Sequence, residues 1–300
     1  MDQRHLDQRH LLMHQVMLGD RRRIDAYDKA LSEAVTPGSV VADVGAGTLA
    51  LTALALRYGA ARVYALEADP QLAALASHLI EANGWSDRVI LVPGDARLAV
   101  LPEKVDVLVA ELMGNLGPEE DMARILAIVA RRVLRAGGVV IPERLVSYLV
   151  PVQFDDEGWG VWRDGFLDMR LAVVQEHVRP EAQLHFFSFP PTLLAEPVVL
   201  ADSAARSRRG RPQDTLRLDV DHGGCLQAVA GYFVATLAPG VTLANFPSYP
   251  GCNWAVWIWP LRHSAVGPGD EIRVRVRVPE GGRVVTDWRL DCQLLRKGTQ

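Results

Sequence analysis

Two glutamates, Glu111 and Glu120, lie at either end of a segment that contains glycine and proline, residues 111–120, which we call the glutamate loop. Such a segment can fold back on itself and aim both carboxylates at one point. Paired carboxylates suit a planar guanidinium, which offers five donors in a fixed fork. The neighbouring Glu119 and Asp121 have a simpler interpretation, because acidic residues favour the start of a helix. The pair therefore predicts a site for a guanidino group.

Glycines and acidic side chains combine in a second set of residues, in the first third of the chain. Asp43, Gly45, Gly47 and Thr48 form a segment that we call the glycine turn. Its glycines allow a tight turn and a close approach of the backbone to a ligand. Glu67 ends the next predicted strand, where a carboxylate can accept both hydrogen bonds of a ribose diol. These residues predict a site for a nucleoside-containing cofactor.

The nature of that cofactor rests on finer features. The same glycines, with Ala50, also fit a loose fingerprint for nicotinamide dinucleotides, and a glycine turn without a ligand is a third interpretation. Asp43 lies two residues before the first glycine, and no third glycine of the pyrophosphate type follows. Asp95 and Ala96 come after the third predicted strand, where a carboxylate can take the amino group of an adenine. Together these features favour S-adenosyl-L-methionine.

The elements predicted around these residues place them at one edge of a sheet. Apolar positions at helical spacing predict helical structure over residues 10–34. Further on, strands alternate with helices through short connections, which predicts right-handed βαβ units and a parallel sheet. Ligands of such sheets bind at the carboxyl ends of the strands. The predicted strands are 40–44, 62–66, 89–92 and 105–110, and the predicted helices are 49–58, 70–83 and 119–134, the last ended by Gly137-Gly138.

The second half of the chain has a different pattern. Residues 271–278 (EIRVRVRV) alternate strictly between polar and apolar side chains, as a half-buried strand does. An aromatic segment near 157–198 fits an extension or arm. We expect an α/β plus β chain with N-terminal helices over 1–36, a Rossmann-like domain over 37–142 and an antiparallel barrel or sandwich over 143–300. Its predicted strands are 139–141, 145–150, 216–220, 231–237, 254–260, 272–278 and 284–294.

Composition narrows the classes of function. The 300 residues carry a formal net charge of −4, whereas a general nucleic-acid binder needs surplus Lys and Arg to neutralise phosphates. Three widely spaced cysteines, with no Cys-x-x-Cys pair, argue against a zinc site or a disulfide framework. The N-terminal segment lacks the apolar core of a signal peptide, and no apolar run approaches the roughly 18 residues of a spanning helix. We expect a cytoplasmic protein that binds no metal, nucleic acid or membrane.

At these residues the sequence resembles the protein arginine methyltransferase family. Residues 40–48 are similar to the first family motif, and residues 63–67 to its ribose-binding strand end. Residues 111–122 match the family's double-glutamate loop, and residues 14–23 (HQVMLGDRRR) are similar to its N-terminal helix. The likeness covers most of the chain, and its motifs are specific in combination.

The resemblance implies roles for several side chains. Glu111 and Glu120 would hold the substrate guanidinium. Arg23 would bind the cofactor carboxylate, with His14 also at the cofactor, while Met17 would line the substrate pocket. The remaining cofactor residues would be those of the glycine turn and the strand ends named above. The cofactor would be S-adenosyl-L-methionine, and the product would be S-adenosyl-L-homocysteine.

The resemblance also extends into the second half of the chain. Pro142-Glu143-Arg144 lies where the family passes into its β-barrel, and the segment near 157–198 would be its dimerisation arm, which implies a head-to-tail homodimer. Cys252-Asn253-Trp254 corresponds to the family's Thr-His-Trp loop, so Trp254 would form a wall of the arginine pocket. Asn253 and Asp20 would belong to the same pocket.

The chain departs from the family pattern at several positions. Asn253 replaces a histidine that pairs with the aspartate matched here by Asp20. An amide can donate a hydrogen bond to Asp20, but it cannot carry a proton at neutral pH. Leu49 replaces a glycine, residues 4–8 lack the aromatics of the family's lid helix, and Asn115 replaces an aromatic residue.

These observations favour N-methylation of a guanidino group on free L-arginine or a small guanidino metabolite, in bacterial natural-product biosynthesis. The altered lid and pocket loop and the absence of an added recognition domain motivate that reading. Two alternatives stay open. The chain could methylate arginine within proteins, or it could be a catalytically silent interaction module, which the Asn253 replacement suggests and the intact Glu67, Glu111 and Glu120 oppose.

Overall fold

Two helices begin the chain in the computed structural model, which describes residues 7–205, 212–246, 254–279 and 284–298. They are α1, Gln8–Gly19, and α2, Arg21–Ala34. Asp20 separates them because its carboxylate accepts a hydrogen bond from the backbone N–H of Arg23, 3.1 Å away, and so begins a new helix. The predicted helical region 10–34 is therefore two helices.

A five-stranded parallel sheet follows, with strand order β3-β2-β1-β4-β5. Its order confirms the βαβ units that the alternation of patterns predicts. The long helix α5 begins three residues later than predicted. The strands are β1 Val40–Val44, β2 Arg62–Glu67, β3 Val89–Pro93, β4 Val105–Ala110 and β5 Leu134–Ile141, and the helices are α3 Ala50–Arg57, α4 Pro70–Ala82 and α5 Met122–Val133.

The assignment of strand β5 corrects two sequence predictions. Residues 139–141 were expected among the antiparallel strands, but Val139 pairs with Val107 of β4 in parallel register. Gly137 and Gly138, predicted to end a helix, lie inside β5. A Cβ on Gly138 would come within 2.9 Å of the Asp106 carbonyl oxygen, so the glycine permits close strand packing rather than helix termination.

The described residues after β5 fold mainly into antiparallel sheets. One sheet has seven strands around the central pair β6 and β11, and the other has the order β10-β14-β15. Among the described residues neither sheet closes, so the antiparallel character is confirmed and the barrel is not. The strands are β6 Arg144–Gln153, β7 Gln183–His185, β8 Thr192–Leu193, β9 Val198–Ala204, β10 Thr215–Asp219, β11 Gly224–Ala238, β12 Val241–Ala244, β13 Val256–Val266, β14 Glu271–Arg277 and β15 Arg289–Leu295.

The aromatic segment between β6 and β9 consists of short 3₁₀ turns and the two short strands β7 and β8. Part of it packs inward, since the Phe187 ring lies 5.4 Å from Phe154 and 5.7 Å from Phe246 between centroids. Other apolar side chains of the segment face solvent, among them Leu167, Met169, Val173, Phe186 and Phe189. The segment is thus anchored to the antiparallel half at several points, such as the 2.9 Å contact of His263 Nε2 with the Trp159 carbonyl oxygen, and it also exposes an apolar surface.

The parallel and antiparallel parts share one core. Phe233 and Trp254, from the antiparallel half, belong to the same apolar cluster as the buried residues of the parallel sheet. Side chains from the second half of the chain therefore pack against the parallel sheet.

Every helix that the structure describes is too short or too polar to span a lipid bilayer.

Candidate active site

The glycine turn connects β1 to α3, and its conformation requires glycine at two positions. Gly45 and Gly47 have φ of +76° and +50°. A Cβ on Gly45 would lie 2.7 Å from Leu112 Cδ2, and one on Gly47 would lie 2.6 Å from His14 Cε1. Leu49, which is buried, also has a left-handed φ of 66°, at a cost of roughly 1–3 kcal/mol. This turn therefore packs directly under α1 and beside the glutamate loop.

Glu67 lies at the end of β2, next to the glycine turn. One carboxylate oxygen accepts a hydrogen bond from the backbone N–H of Gly47, 2.8 Å away, and the other from that of Asp69, also 2.8 Å away. Each oxygen keeps a second lone pair, so the carboxylate can still accept a bond from a ligand hydroxyl. The side chain is 6% exposed, which holds it in one orientation.

Asp43 is buried beneath the turn. It accepts a hydrogen bond from the Thr52 hydroxyl at 2.8 Å, while its Oδ1 has no partner among the described residues. Burial raises the pKa of the Asp43 carboxyl to about 6, against the hydrogen bonds from Thr52. The side chain therefore supports the turn from behind and does not border the cavity described below.

Asp95 and Ala96 follow β3, at the same edge of the sheet. The Asp95 carboxylate accepts bonds from the Arg97 side chain at 2.6 Å and 2.9 Å, and these bonds lower its pKa. Neither residue borders the described cavity beside the glycine turn. The contact of Asp95 with an adenine stays a prediction.

A cavity of about 90 Å³ lies between α1, α2 and the glycine turn. It brings together seven of the predicted site residues. Sequence reasoning missed Tyr27, whose hydroxyl donates to the Ala110 carbonyl oxygen at 2.8 Å and ties α2 to the end of β4. Its spacing of four from Arg23 on one helix was the available signal. The predicted residues that border the cavity are His14, Met17, Arg23, Gly45, Gly47, Thr48 and Glu111.

Arg23 lies at the centre of this arrangement. Its Nη1 donates to Glu111 Oε2 at 2.9 Å, and the guanidinium carbon lies 3.6 Å from the centroid of the Trp254 ring. Burial raises the pKa of Glu111, whereas the positive charge of Arg23 lowers it. The Arg23 Nε is buried and has no hydrogen-bond partner in the described part of the chain. A donor is therefore available for an anionic group in the cavity.

Glu120 ends the glutamate loop, and its side chain keeps contact with solvent. The surrounding protein nevertheless removes enough water to raise the pKa of Glu120 to about 7, and the negative charges of Glu111 and Glu119 add to that shift. Arg23 opposes it. The charge of Glu111 thus contributes to the pKa of Glu120, nine residues further along the glutamate loop.

Side chains of the antiparallel half hold the backbone of the glutamate loop. Trp254 Nε1 donates to the Met113 carbonyl oxygen at 2.9 Å. Asn245 Nδ2 donates to the carbonyl oxygen of Asn115 at 2.7 Å. The Ser147 hydroxyl donates in the same way to the next carbonyl along the loop, at 2.8 Å. Sequence analysis predicted a role for Trp254 alone, because such long-range contacts leave no local pattern.

Glu119 makes contacts that the sequence did not predict. It lies in the first turn of a short 3₁₀ helix, Pro118–Glu120, as expected for an acidic residue at a helix start, whereas α5 begins only at Met122. In addition, Glu119 Oε1 accepts bonds from the Leu116 backbone N–H at 2.7 Å and from Trp257 Nε1 at 2.9 Å. The side chain turns inward, across the glutamate loop.

Asp20 and Asn253 are the remaining predicted pair, and the structure describes only Asp20. Asp20 is buried, and its carboxylate begins α2 as described above. Asn253, its predicted partner, lies outside the described residues. Among those that are described, no group of three or more His, Cys, Asp or Glu side chains could hold a metal ion.

Comparison with known proteins gives a consistent picture. A family profile described as "PRMT5 arginine-N-methyltransferase" matches residues 15–141. The arginine N(omega)-methyltransferase of Streptomyces achromogenes subsp. streptozoticus is 30% identical over 278 residues, which are 88% of this chain and 75% of that protein. The probable protein arginine N-methyltransferase 6 of Arabidopsis thaliana is 34% identical over 49% of this chain, but the match spans only 34% of its own length.

Solved structures share the fold. Protein arginine methyltransferase 10 of Arabidopsis thaliana superimposes with a TM-score of 0.75 at 21% identity, covering 96% of this chain and 94% of that one. The Trypanosoma brucei PRMT1 enzyme–prozyme heterotetrameric complex with AdoHcy gives 0.74 at 19% identity, with coverage of 96% and 94%. The arrangement of a parallel sheet followed by antiparallel sheets is therefore that of these proteins.

Proposed function

The chain belongs to the arginine N-methyltransferase family, and from that premise we propose that it transfers a methyl group from S-adenosyl-L-methionine to a guanidino nitrogen. One observation carries the proposal. Glu111 borders the cavity beside the glycine turn, where it accepts a bond from Arg23 at 2.9 Å, and it also begins the loop that ends at Glu120. A cofactor side and a guanidine side thus meet at one carboxylate.

The residues around the cavity fit the proposed cofactor. Arg23 Nε, which has no partner among the described residues, can donate to the cofactor carboxylate. Glu67 retains acceptor capacity for a ribose, and the glycine turn presents backbone without side chains. Asp95 and Ala96 are the proposed adenine contacts. When bound, S-adenosyl-L-methionine supplies an electrophilic methyl group carried on a sulfonium cation.

We propose that helix α1 shifts outward to admit a ligand of that size. The present cavity, about 90 Å³, is smaller than the roughly 300–1,000 Å³ of typical ligand pockets. The His14 ring fills the space above Gly47, and none of the described residues of α1 is buried. Few contacts oppose a movement of α1, so we propose that it opens for the cofactor and then closes over it.

The two glutamates would offset the repulsion between a cationic cofactor and a cationic substrate. Two unit charges about 4 Å apart repel by roughly 4 kcal/mol at an effective dielectric near 20. Glu111 and Glu120 can orient the guanidinium and localise its charge away from the reacting nitrogen. The pKa of Glu120, raised to about 7, suits it to accept the proton that the product releases.

Free L-arginine or a small guanidino metabolite is the acceptor that we propose. The Streptomyces relative, an arginine N(omega)-methyltransferase, matches 88% of the chain. Relatives named as protein arginine methyltransferases match about half of it, so arginine within proteins is the second candidate. We also propose that the protein is cytoplasmic.

We further propose that it forms a head-to-tail homodimer, since both α1 and the segment near 157–198 expose apolar side chains.

Mass spectrometry with S-adenosyl-L-methionine and either free L-arginine or an Arg-Gly-rich peptide tests the proposal. We expect methylarginine from free arginine, lost in Glu120→Gln. Methylation of the peptide alone would transfer the assignment to protein arginine. Cofactor binding without methylation of either acceptor would contradict the enzymatic proposal and favour a silent interaction module.

A further inference from the structure

We propose that Glu119 is a positioning residue of the guanidine site, which ties the glutamate loop to the antiparallel sheet and adds a third negative charge beside Glu120. This inference rests on the proposed methyltransferase activity. It assigns a function to a side chain that the double-glutamate motif does not include. Glu119 acts through the loop and through Glu120, and not by contact with either proposed ligand.

Geometry shows that the loop is built around this side chain. Glu119 Oε1 joins the backbone N–H of Leu116 to Trp257 Nε1 on β13, at 2.7 Å and 2.9 Å. A Cβ on Gly114 would lie 2.5 Å from Glu119 Cδ, so only glycine leaves room for the carboxylate to cross the loop. Trp254, Asn245 and Ser147 donate hydrogen bonds to loop carbonyls, and the bond from Trp257 to Glu119 is a fourth link between the loop and the antiparallel half.

The two hydrogen bonds that Glu119 accepts do not require a negative charge. A neutral amide could accept the same two hydrogen bonds, whereas a buried carboxylate carries a desolvation cost. Glu119 Oε2 is buried and has no partner among the residues that the structure describes. Burial raises the pKa of Glu119, which the bonds from Trp257 and Leu116 partly offset. The presence of a carboxylate rather than an amide at such a position is explained by Glu120, the next residue in the glutamate loop.

Besides burial, three charged groups among the described residues act on the pKa of Glu120: Glu111 after β4, Glu119 in the same loop and Arg23 of α2. The negative charge of Glu119 adds to the attraction for a guanidinium and makes Glu120 a stronger base. Removal of that charge should therefore weaken substrate binding and let Glu120 ionise at lower pH.

Glu119→Gln separates these effects from loop packing, because glutamine keeps an oxygen acceptor for Leu116 and Trp257 but carries no charge. We would measure kcat and KM for L-arginine between pH 6 and 9, and the dissociation constant of S-adenosyl-L-methionine by calorimetry. We expect kcat/KM to fall on the order of tenfold at pH 8. The acidic limb of the profile should move to lower pH, while cofactor affinity stays within about twofold.

Two further variants complete the test. Trp257→Phe removes the indole donor and keeps the charge, so it should lower kcat without moving the acidic limb toward lower pH. Glu81→Gln, on the exposed face of α4, is the control and should behave as wild type. A wild-type profile for Glu119→Gln, in an enzyme that Glu120→Gln inactivates, would overturn this inference and leave the proposed function standing. A wild-type protein inactive on every guanidine would instead overturn the proposed function, and this inference with it.

Discussion

The glycine turn and the glutamate loop lie side by side, yet they are held in different ways. In the glycine turn, Asp43 bonds to Thr52 and Gly47 bonds to Glu67, which are 9 and 20 residues apart in the chain. The glutamate loop is held by Asn245 and Trp254, which are 130 and 141 residues from the carbonyl groups that they bind. One region is stabilised locally, and the other depends on the packing of the two halves.

This difference separates the two proposed tasks. The cofactor side uses residues of the first hundred positions, apart from Glu111, and its backbone geometry is set by glycine. The guanidine side needs the antiparallel half to keep its carboxylates in place. Changes to Asn245 or Ser147 in the antiparallel half should therefore lower the rate of transfer to the guanidine and spare cofactor affinity, whereas changes in the glycine turn should lower cofactor affinity itself.

The largest expected effect tests the guanidine side directly. Glu120→Gln removes the charge at the end of the glutamate loop. The side chain is exposed, so the variant should still fold. We expect kcat/KM for L-arginine to fall about 10²–10³-fold, because the charge acts on the reacting groups. Steady-state kinetics measures this, with calorimetry to show unchanged cofactor affinity. An equal loss of cofactor affinity would contradict the separation of the two sides.

A second prediction tests the cofactor side. Gly47→Ala places a Cβ against His14 at a left-handed φ of +50°, which glycine tolerates and alanine does not. We expect cofactor affinity to fall about 10- to 100-fold. Gly84→Ala is the matched control, since Gly84 has φ +66° but nothing lies within 4 Å of its added Cβ. If both variants bind the cofactor equally well, the glycine turn is not its site.

The pH dependence of activity sharpens the comparison further. Burial and the charges of Glu111 and Glu119 raise the pKa of Glu120 to about 7, and the carboxylate must be ionised to hold a guanidinium. We expect kcat/KM to rise about tenfold between pH 6 and pH 8 and then level off. The affinity for the cofactor should stay constant over this pH range.

The same pKa shift has a consequence for stability. The pKa of Glu120 is higher in the folded chain than its ordinary value of 4.5, so the folded state binds more protons between these two values. The contribution of Glu120 to stability therefore decreases as pH rises from 4.5 to about 7. Chemical denaturation at pH 8 should find Glu120→Gln more stable than wild type, and a less stable variant would contradict the shift.

The smallest expected effect concerns the contact between the two halves. Asn245 is buried and bonds to Asn115, Ala255 and Phe233 through its amide. Asn245→Ala should lower the free energy of unfolding by about 1–3 kcal/mol. It should reduce kcat about fivefold, a loss of roughly 1 kcal/mol in transition-state stabilisation. Asn83→Ala, at an exposed helix end, is the control, and a loss of cofactor affinity as large as the loss of kcat would argue against separate sides.

Much of the first half could be predicted from sequence. The parallel sheet, its strand ends and the glycine turn follow from short apolar runs, helical spacing and glycine positions, all of which are local signals. Glu67 and Glu111 were predicted as site residues because each directly follows an apolar strand, and the edge of a parallel sheet collects such positions. Four of the seven predicted residues that border the cavity, Gly45, Gly47, Thr48 and Glu111, lie there for that reason.

Tertiary structure alone decided the rest. The membership of β5 in the parallel sheet, the open antiparallel sheets and the inward turn of Glu119 contradict or complete the sequence predictions. The hydrogen bonds of Ser147, Asn245 and Trp257 to the glutamate loop had no signal in the sequence. Local patterns specify conformation and burial, but a hydrogen bond between residues more than a hundred positions apart depends on how two sheets pack against each other.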